Sequence, residues 1–536
     1  MPVFSEFNPN ELGLEIDGSD NNDLIFGSFG SDHINGNGGN DLIFAFSGHD
    51  TVSGGDGEDY LFGGLGSDII VGNKGNDFMF GGWGDDLLVW NNGDGSDLMQ
   101  GGEGDDSVQV NFNTDLVNDD LQNKDVAEYS VTDQGVQFAR IALNDQSELG
   151  LFQLDIRETE VLETNFGAGD DAAVLKGAIL EAIALNLDGG DGVDTLDLSQ
   201  VAAGVSVDLK KDALDESTAE NFENVVGTDF KDKIKGDKQD NEISGGSGDD
   251  KILGRGGDDL LVGNKGDDVV IAGGGDDSLV WNNGDGSDLL NGGSGDDLVQ
   301  VNFDTDLVND DLQNKDVASF STTDYGVAFA RIELNDQTEA GLFQLDIRNT
   351  ETLETNFGGG DDTAVIEGNV SDVIKLDLDG GAGIDLLDFS GAAAAVNVDL
   401  AAGTFATQGY IPAGGEISMA TNFEQVTGSD FDDIIVGNDQ ANVIRGGSGN
   451  DAMTGGAGAD TFVFFEADAG VDIILDFEFG TDNLLFVTND PTVTADALLG
   501  NLTQVADGVE LALNNKVITF DNAEVSDFHA DDFMIA

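Results

Sequence analysis

An all-β fold of parallel β-roll or β-solenoid repeats, in two duplicated units closed by a carboxyl-terminal cap domain, is predicted by three observations. Glycine and aspartate recur on a nine-residue period from Gly18; a long block occurs twice at an offset of 191 residues; and 77 glycines stand against 4 prolines in 536 residues. Glycine is at about twice its usual share and shows no Gly-X-Y period, so the chain is built of many tight turns and is not collagen. With 39% hydrophobic residues it can bury substantial cores.

Residues 1–17 form an amino-terminal segment with neither a basic region nor an apolar stretch, so no ordinary export signal is expected. From Gly18 the first roll, 18–110, can be cut without a slip into GSDNNDLIF, GSFGSDHIN, GNGGNDLIF, AFSGHDTVS, GGDGEDYLF, GGLGSDIIV, GNKGNDFMF and GGWGDDLLV. The sixth position is always aspartate (Asp23, Asp32, Asp41, Asp50, Asp59, Asp68, Asp77, Asp86), and the eighth is always apolar (Ile25, Ile34, Ile43, Val52, Leu61, Ile70, Met79, Leu88). Six Gly-rich residues make a turn with exposed carbonyls, and three more make a short strand with one side chain inward. Stacking buries the apolar row and lines up carboxylates with turn carbonyls, a hard-oxygen set that suits Ca²⁺ better than the tighter octahedron of Mg²⁺.

An eleven-residue step, VWNNGDGSDL, then interrupts the rhythm and keeps its pattern with Asp97 and Met99, before one more turn at Asp106. It reads as a joint to a wider solenoid, with Trp90 covering the seam. The wider module, 111–226, alternates apolar and polar residues around the polar DLVNDDLQNKDV, which predicts strands with one wet face and a hairpin-like insertion. Single turns at Asp171 and Asp194 keep the same grammar.

The second roll, 227–301, carries Asp232, Asp250, Asp259, Asp268, Asp277, Asp288 and Asp297, with Asn241 in place of one aspartate. The second wider module, 302–427, repeats the first with Asp362 and Asp385, and a third roll, 428–463, has Asp433, Asp451 and Asp460 with Asn442. The asparagine turns are expected to bind weakly or only to shape the backbone. Residues 73–166 and 264–357 align without a gap at about three quarters identity, a recent duplication. Residues 464–536 differ from the rest and end in DDFMIA.

The nonapeptide G-G-x-G-x-D-x-U-x resembles that of secreted RTX calcium-binding proteins, and GGAGADTFVFFEADAGVDIILDFEFGTDNLLF with the DDFMIA tail resembles the serralysin-like secretion domain. The resemblance implies many bound calcium ions, folding when the chain meets calcium outside the cell, and export from a Gram-negative bacterium by type I secretion machinery. A cap for the last solenoid turn is the structural alternative for 464–536.

The formal charge of −87, from 107 acidic against 20 basic residues, excludes nucleic acid and anionic membrane surfaces as partners and favours cations. Salt adaptation also produces acidic surfaces, but it has no need of aspartate in register with glycine. There is no cysteine, hence no disulfide or thiolate site, and no run of 18 apolar residues that would make a transmembrane segment.

No catalytic residues are identified. His33 and His49 lie in repeat turns and His529 near the tail, HExxH is missing, and the serines of GGSGDD form no G-x-S-x-G elbow. Arg140, Arg157, Arg331 and Arg348 recur by duplication and read as neutralising nearby carboxylates. The chain is therefore read as a non-enzymatic extracellular structural protein of a surface layer, filament or biofilm matrix that self-associates. The alternative is a calcium-dependent adhesin or accessory module that binds cell-surface polysaccharide, through Trp90 and Trp281 or the paired arginines.

Overall fold

The computed structural model describes residues 13–112, 125–133, 135–143, 153–303, 316–334, 343–407, 417–513 and 515–536. It is 53% strand and 5% helix. The chain divides into two compact units, Met1–Leu261 and Val262–Ala536, and the division falls inside the array that begins at Gly227.

In the first unit each D-x-U-x stretch is extended, and successive strands go to opposite sheets. Residues 18 apart therefore pair in parallel: Ile25 with Ile43, Leu61 and Met79 in one sheet, Ile34 with Val52, Ile70 and Leu88 in the other. One coil is two nonapeptides, and all eight apolar side chains have zero exposure. Burial of each contributes about 1.5–3 kcal/mol, which is what closes so thin a roll. The expected three-residue strands occur at Leu24–Phe26 and His33–Asn35. From Leu42–Ser47 to Phe78–Trp83 the strands have six residues, because the start of the next turn joins the ladder, as where Phe46 pairs with Gly64.

The eleven-residue step lengthens one coil to 20 residues and preserves its register: Met79 pairs with Met99, Leu88 with Val108. Trp90 is 1% exposed, and its indole N–H donates to the Gly95 carbonyl at 2.9 Å, so the side chain plugs the widened coil.

Beyond the step an antiparallel meander, Asp125–Thr132, Gly135–Leu143 and Gln153–Arg157, is spliced into one sheet: Leu98–Glu103 pairs with its last strand and Ala172–Gly177 with its first. This is the hairpin insertion expected from the alternating pattern; most of DLVNDDLQNKDV lies outside the described residues. The wider coils hold aromatic side chains. Phe112 stacks on Phe166 at 5.2 Å, and Tyr129 meets the edge of Phe138 at 5.0 Å.

The second unit repeats this plan. Val270 pairs with Leu290 and Leu279 with Val299 across its 20-residue coil, and Asp316–Thr322, Gly326–Leu334 and Gln344–Arg348 form the meander. The third roll stacks Val426, Ile444 and Phe462 in one sheet and Ile435, Met453 and Ile474 in the other. Those ladders run on into the tail: Gly470–Ile474 pairs with Lys516–Asp521, and Asn483–Val487 with Phe533–Ile535. Among the described residues no helix is long and apolar enough to cross a membrane.

Candidate metal centres

The sixth-position aspartates are buried, and each is fixed by the coil beside it. In the first roll the backbone N–H of Asp41 donates to Asp59 Oδ1 at 2.7 Å, and that of Asp59 to Asp77 Oδ1 at 2.8 Å. Two such chains run along the roll, Asp23–Asp41–Asp59–Asp77–Asp97 and Asp32–Asp50–Asp68–Asp86–Asp106. One carboxylate oxygen is thus spent on holding coil to coil.

The other oxygen has no donor. Oδ2 of Asp41, Asp50, Asp59, Asp68, Asp77, Asp86, Asp97 and Asp106 is buried without a hydrogen bond. Buried polar atoms are nearly always satisfied, so a row of exceptions points to a missing partner. Space is kept for it by the first residue of the turn: a Cβ at Gly54 would lie 2.4 Å from Asp59 Oδ2 and 2.7 Å from the Gly72 carbonyl oxygen. Gly36, Gly63 and Gly81 leave the same opening beside Asp41, Asp68 and Asp86. Among the described residues no three carboxylates or imidazoles converge, and the openings at Gly36, Gly54, Gly63 and Gly81 are each lined by an aspartate Oδ2 and a turn carbonyl of the next coil. Such a donor set fits Ca²⁺, which accepts six to eight oxygens at flexible geometry.

Electrostatics agree. Burial, reinforced by the carboxylates of Asp97 and Asp59 and opposed by the hydrogen bond from the Asp59 N–H, pushes Asp77 up to about 8. Burial likewise raises Asp50 and Asp86 to about 7, and Asp41 and Asp68 to about 6. Without a counter-cation the row holds charge badly.

The remaining predicted residues fall on the same ladders. Asp171 donates its N–H to Asp194, and Asp362 to Asp385, at 2.6 and 2.7 Å. Asp250 accepts from Asp232, Asp259 from Asn241, Asp288 from Asp268, Asp297 from Asp277, Asp451 from Asp433 and Asp460 from Asn442. Oδ2 of Asp194, Asp297, Asp385, Asp451 and Asp460 is also buried without a donor.

Sequence reasoning missed the acids that take over where the nine-residue period ends. Glu160 accepts the Asp106 N–H at 2.7 Å and Glu351 that of Asp297 at 2.9 Å; Glu223 and Glu424 do the same for Asp194 and Asp385. Their signal was a glutamate recurring in each copy, in ETE and TET and in NFEN and NFEQ. Also unforeseen is Lys516, a buried ammonium that donates to the Gly447 carbonyl and sits 2.7 Å from Asp472 Oδ2. Here a side-chain cation already meets a turn carbonyl and a carboxylate. Arg157 and Arg348 each pair with the aspartate two residues earlier, Asp155 and Asp346, whereas the side chains of Arg140 and Arg331 lie outside the described residues.

The family described as RTX calcium-binding nonapeptide repeat (4 copies) matches residues 17–52, 53–88, 91–118, 226–261, 253–280, 282–309 and 427–462. The chain carries RTX calcium-binding repeats. Proteins with RTX repeats are in general secreted. Among solved structures the chain is similar to the extracellular lipase LipA from Serratia marcescens, at 18% identity over 65% of this chain and 45% of that one, with a TM-score of 0.17. The chain thus spans less than half the length of that lipase. No curated protein sequence matches it.

Proposed function

We propose that this is a secreted RTX protein whose rolls fold on calcium outside the cell and whose repeated, non-enzymatic body serves as an extracellular structural element in a surface layer, filament or biofilm matrix. The observation that carries this reading is the unbroken row of buried aspartate oxygens without donors. Bound calcium supplies the positive charge those rows lack. The aspartate Oδ2 atoms and the carbonyls beside them hold it, and Oδ1 keeps the coils in register. Rows of bare carboxylates repel one another, so the chain stays open until the cation is abundant, as it is outside the cell. Type I secretion accounts for export, with 464–536 as the signal-bearing domain and as the cap on the last ladders. The duplicated body and the charge of −87 favour a load-bearing, cation-linked role over catalysis. In millimolar calcium, electron microscopy of the full chain is expected to show ordered lattices or filaments. Monodisperse particles under those conditions would exclude the structural role while leaving calcium binding intact.

A second reading, binding of polysaccharide, is favoured by one residue the sequence argument passed over. Trp90 and Trp281 are each 1% exposed and cannot meet a ligand, but Trp83 is 65% exposed beside Leu65 and Glu103 in an open groove of the first unit. A bare indole with acidic neighbours suits stacking on a hydroxylated, uncharged ring.

A further inference from the structure

The sixth-position side chains fall into two classes, and the second residue of each turn separates them. Where Oδ2 is left without a donor in the nine-residue turns of the first roll, residue 2 has a left-handed backbone: Asn37 at φ 72°, Phe46 at 79°, Gly55 at 109°, Gly64 at 118°, Asn73 at 65° and Gly82 at 123°. The same holds for Gly447 and Gly456 in the turns of Asp451 and Asp460.

The two leading turns of each roll are different. Their second residues, Ser19, Ser28, Thr228, Asp237, Ser429 and Asn438, are not left-handed. Each therefore aims its N–H at its own sixth residue. The donors of Ser19, Ser28, Thr228 and Ser429 reach Oδ2 of Asp23, Asp32, Asp232 and Asp433 at 2.6, 2.5, 2.7 and 2.6 Å. All four hydroxyls add a second bond to the same carboxylates, at 2.7–3.0 Å. Asp237 and Asn438 donate in the same way to Oδ1 of Asn241 and Asn442. Turn carbonyls are occupied too: Asn37 Nδ2 donates to Gly18 O at 2.9 Å, and Arg255 Nη1 to Gly236 O at 2.6 Å.

We propose that residue 2 of the nonapeptide selects whether a turn takes an ion, so that the two leading turns of each roll close on their own hydrogen bonds and calcium sites begin at the third turn, as at Asp41 in the first roll. This rests on the calcium reading above and sharpens it: Asp23, Asp32, Asp232 and Asp433 are structural acceptors. A carboxylate already holding two donors must lose them to coordinate a cation, whereas one with a bare buried oxygen loses nothing. Each roll thus starts from one coil of two turns that needs no metal, against which the first ion-dependent coil can pack.

The test is the calcium content of the full-length protein, by atomic emission after gel filtration in calcium buffer, with circular dichroism to confirm folding. Asp32→Asn is expected to leave the count and the calcium midpoint unchanged, since asparagine already stands in that role at Asn241 and Asn442. Asp59→Asn should lower the count by at least one. The converse variant, Ser28→Gly, restores the GGxGxD pattern and should raise the count by one. Equal losses in Asp32→Asn and Asp59→Asn, or no gain in Ser28→Gly, overturns the selection rule. An unchanged count in Asp59→Asn instead overturns the calcium reading of the body turns, so the two failures are distinguishable.

Discussion

Two stretches of the first unit solve the same stacking problem with different materials. In the roll, each 18-residue coil buries two eighth-position apolar side chains, such as Ile43 and Val52, together with two carboxylates, Asp41 and Asp50. In the wider module, the coils after Phe112 bury Tyr129, Phe138, Leu154, Ile156 and Phe166, with Asp171 and Asp194 as the buried aspartates of the repeat pattern. The roll is a thin core alternating with buried charge, and its cohesion depends on what neutralises that charge. Splicing in the meander widens the coil, brings in aromatic area and relieves the dependence. Where the solenoid can afford a thick core, the metal-binding grammar thins out.

The comparison breaks most visibly on calcium removal. On the proposed calcium reading, each site would contribute about 1.4 kcal/mol at a tenfold excess of ion over Kd, so eight such sites at the donor-less positions from Asp41 to Asp106 would together contribute on the order of 10 kcal/mol. That is comparable to the whole stability of a typical domain. Chelation should therefore abolish hydrogen-exchange protection across 41–106 while residues 153–201 retain part of theirs. Equal protection of both segments with and without chelator would end the distinction.

A smaller effect is expected at the joint. Trp90 fills the widened coil and meets the edge of Phe112 at 6.2 Å, so Trp90→Ala should destabilise the first unit by about 3–5 kcal/mol in saturating calcium. Denaturant unfolding followed by exchange at 98–112 reads this directly; a loss of under about 1 kcal/mol would mean the coil closes without its plug.

The pH dependence separates charge from packing. Burial raises Asp77 to about 8 and Asp50 and Asp86 to about 7, above the ordinary 3.8. A folded-state pKa above the unfolded value gives stability that is complete below about 4 and is lost as pH rises through 6 to 8. In chelator, the roll should regain β-structure on acidification from pH 8 to pH 5, by far-ultraviolet circular dichroism. Calcium affinity should fall over the same interval, because protons then compete for Oδ2. A calcium-free roll that loses structure on acidification would show that neutralising the aspartates is not what the ion does.

Much of this was legible beforehand, for a physical reason. A nine-residue period is written in side-chain chemistry, so Asp59 and Leu61 announce both their row and its inward or polar fate. The 18-residue coil was less accessible, because nine residues only reach the opposite sheet, and pairing at 18 follows from chain path. Glu160 and Glu351 were hidden for the same cause. Each meets an aspartate 54 residues away, across an insertion whose length no local pattern encodes. The asparagine turns were read as weak binders or as shapers of backbone, and Asn241 accepts the Asp237 N–H. That Ser28 treats Asp32 in the same manner was not visible, because aspartate at position six looks identical whether or not its turn satisfies it. The recurrent tryptophans, Trp90 and Trp281, are each 1% exposed inside the widened coils, as the seam reading expects, and the saccharide alternative is left without those two residues.

The smallest effect concerns Trp83, which distinguishes the two units from each other. It stands 65% exposed at the end of a strand whose next coil places Glu103 opposite it, and the duplicated position in the second unit is Gly274. An exposed side chain whose neighbours do not close over it adds little to stability, so Trp83→Ala should change unfolding by no more than about 0.5 kcal/mol. If the first unit also carries a saccharide surface, the same substitution should remove retention on an immobilised neutral polysaccharide in calcium buffer. Calcium content and circular dichroism should not move. Retention that survives Trp83→Ala would leave the polysaccharide reading without its residue, and the extracellular scaffold as the whole of the first unit's role.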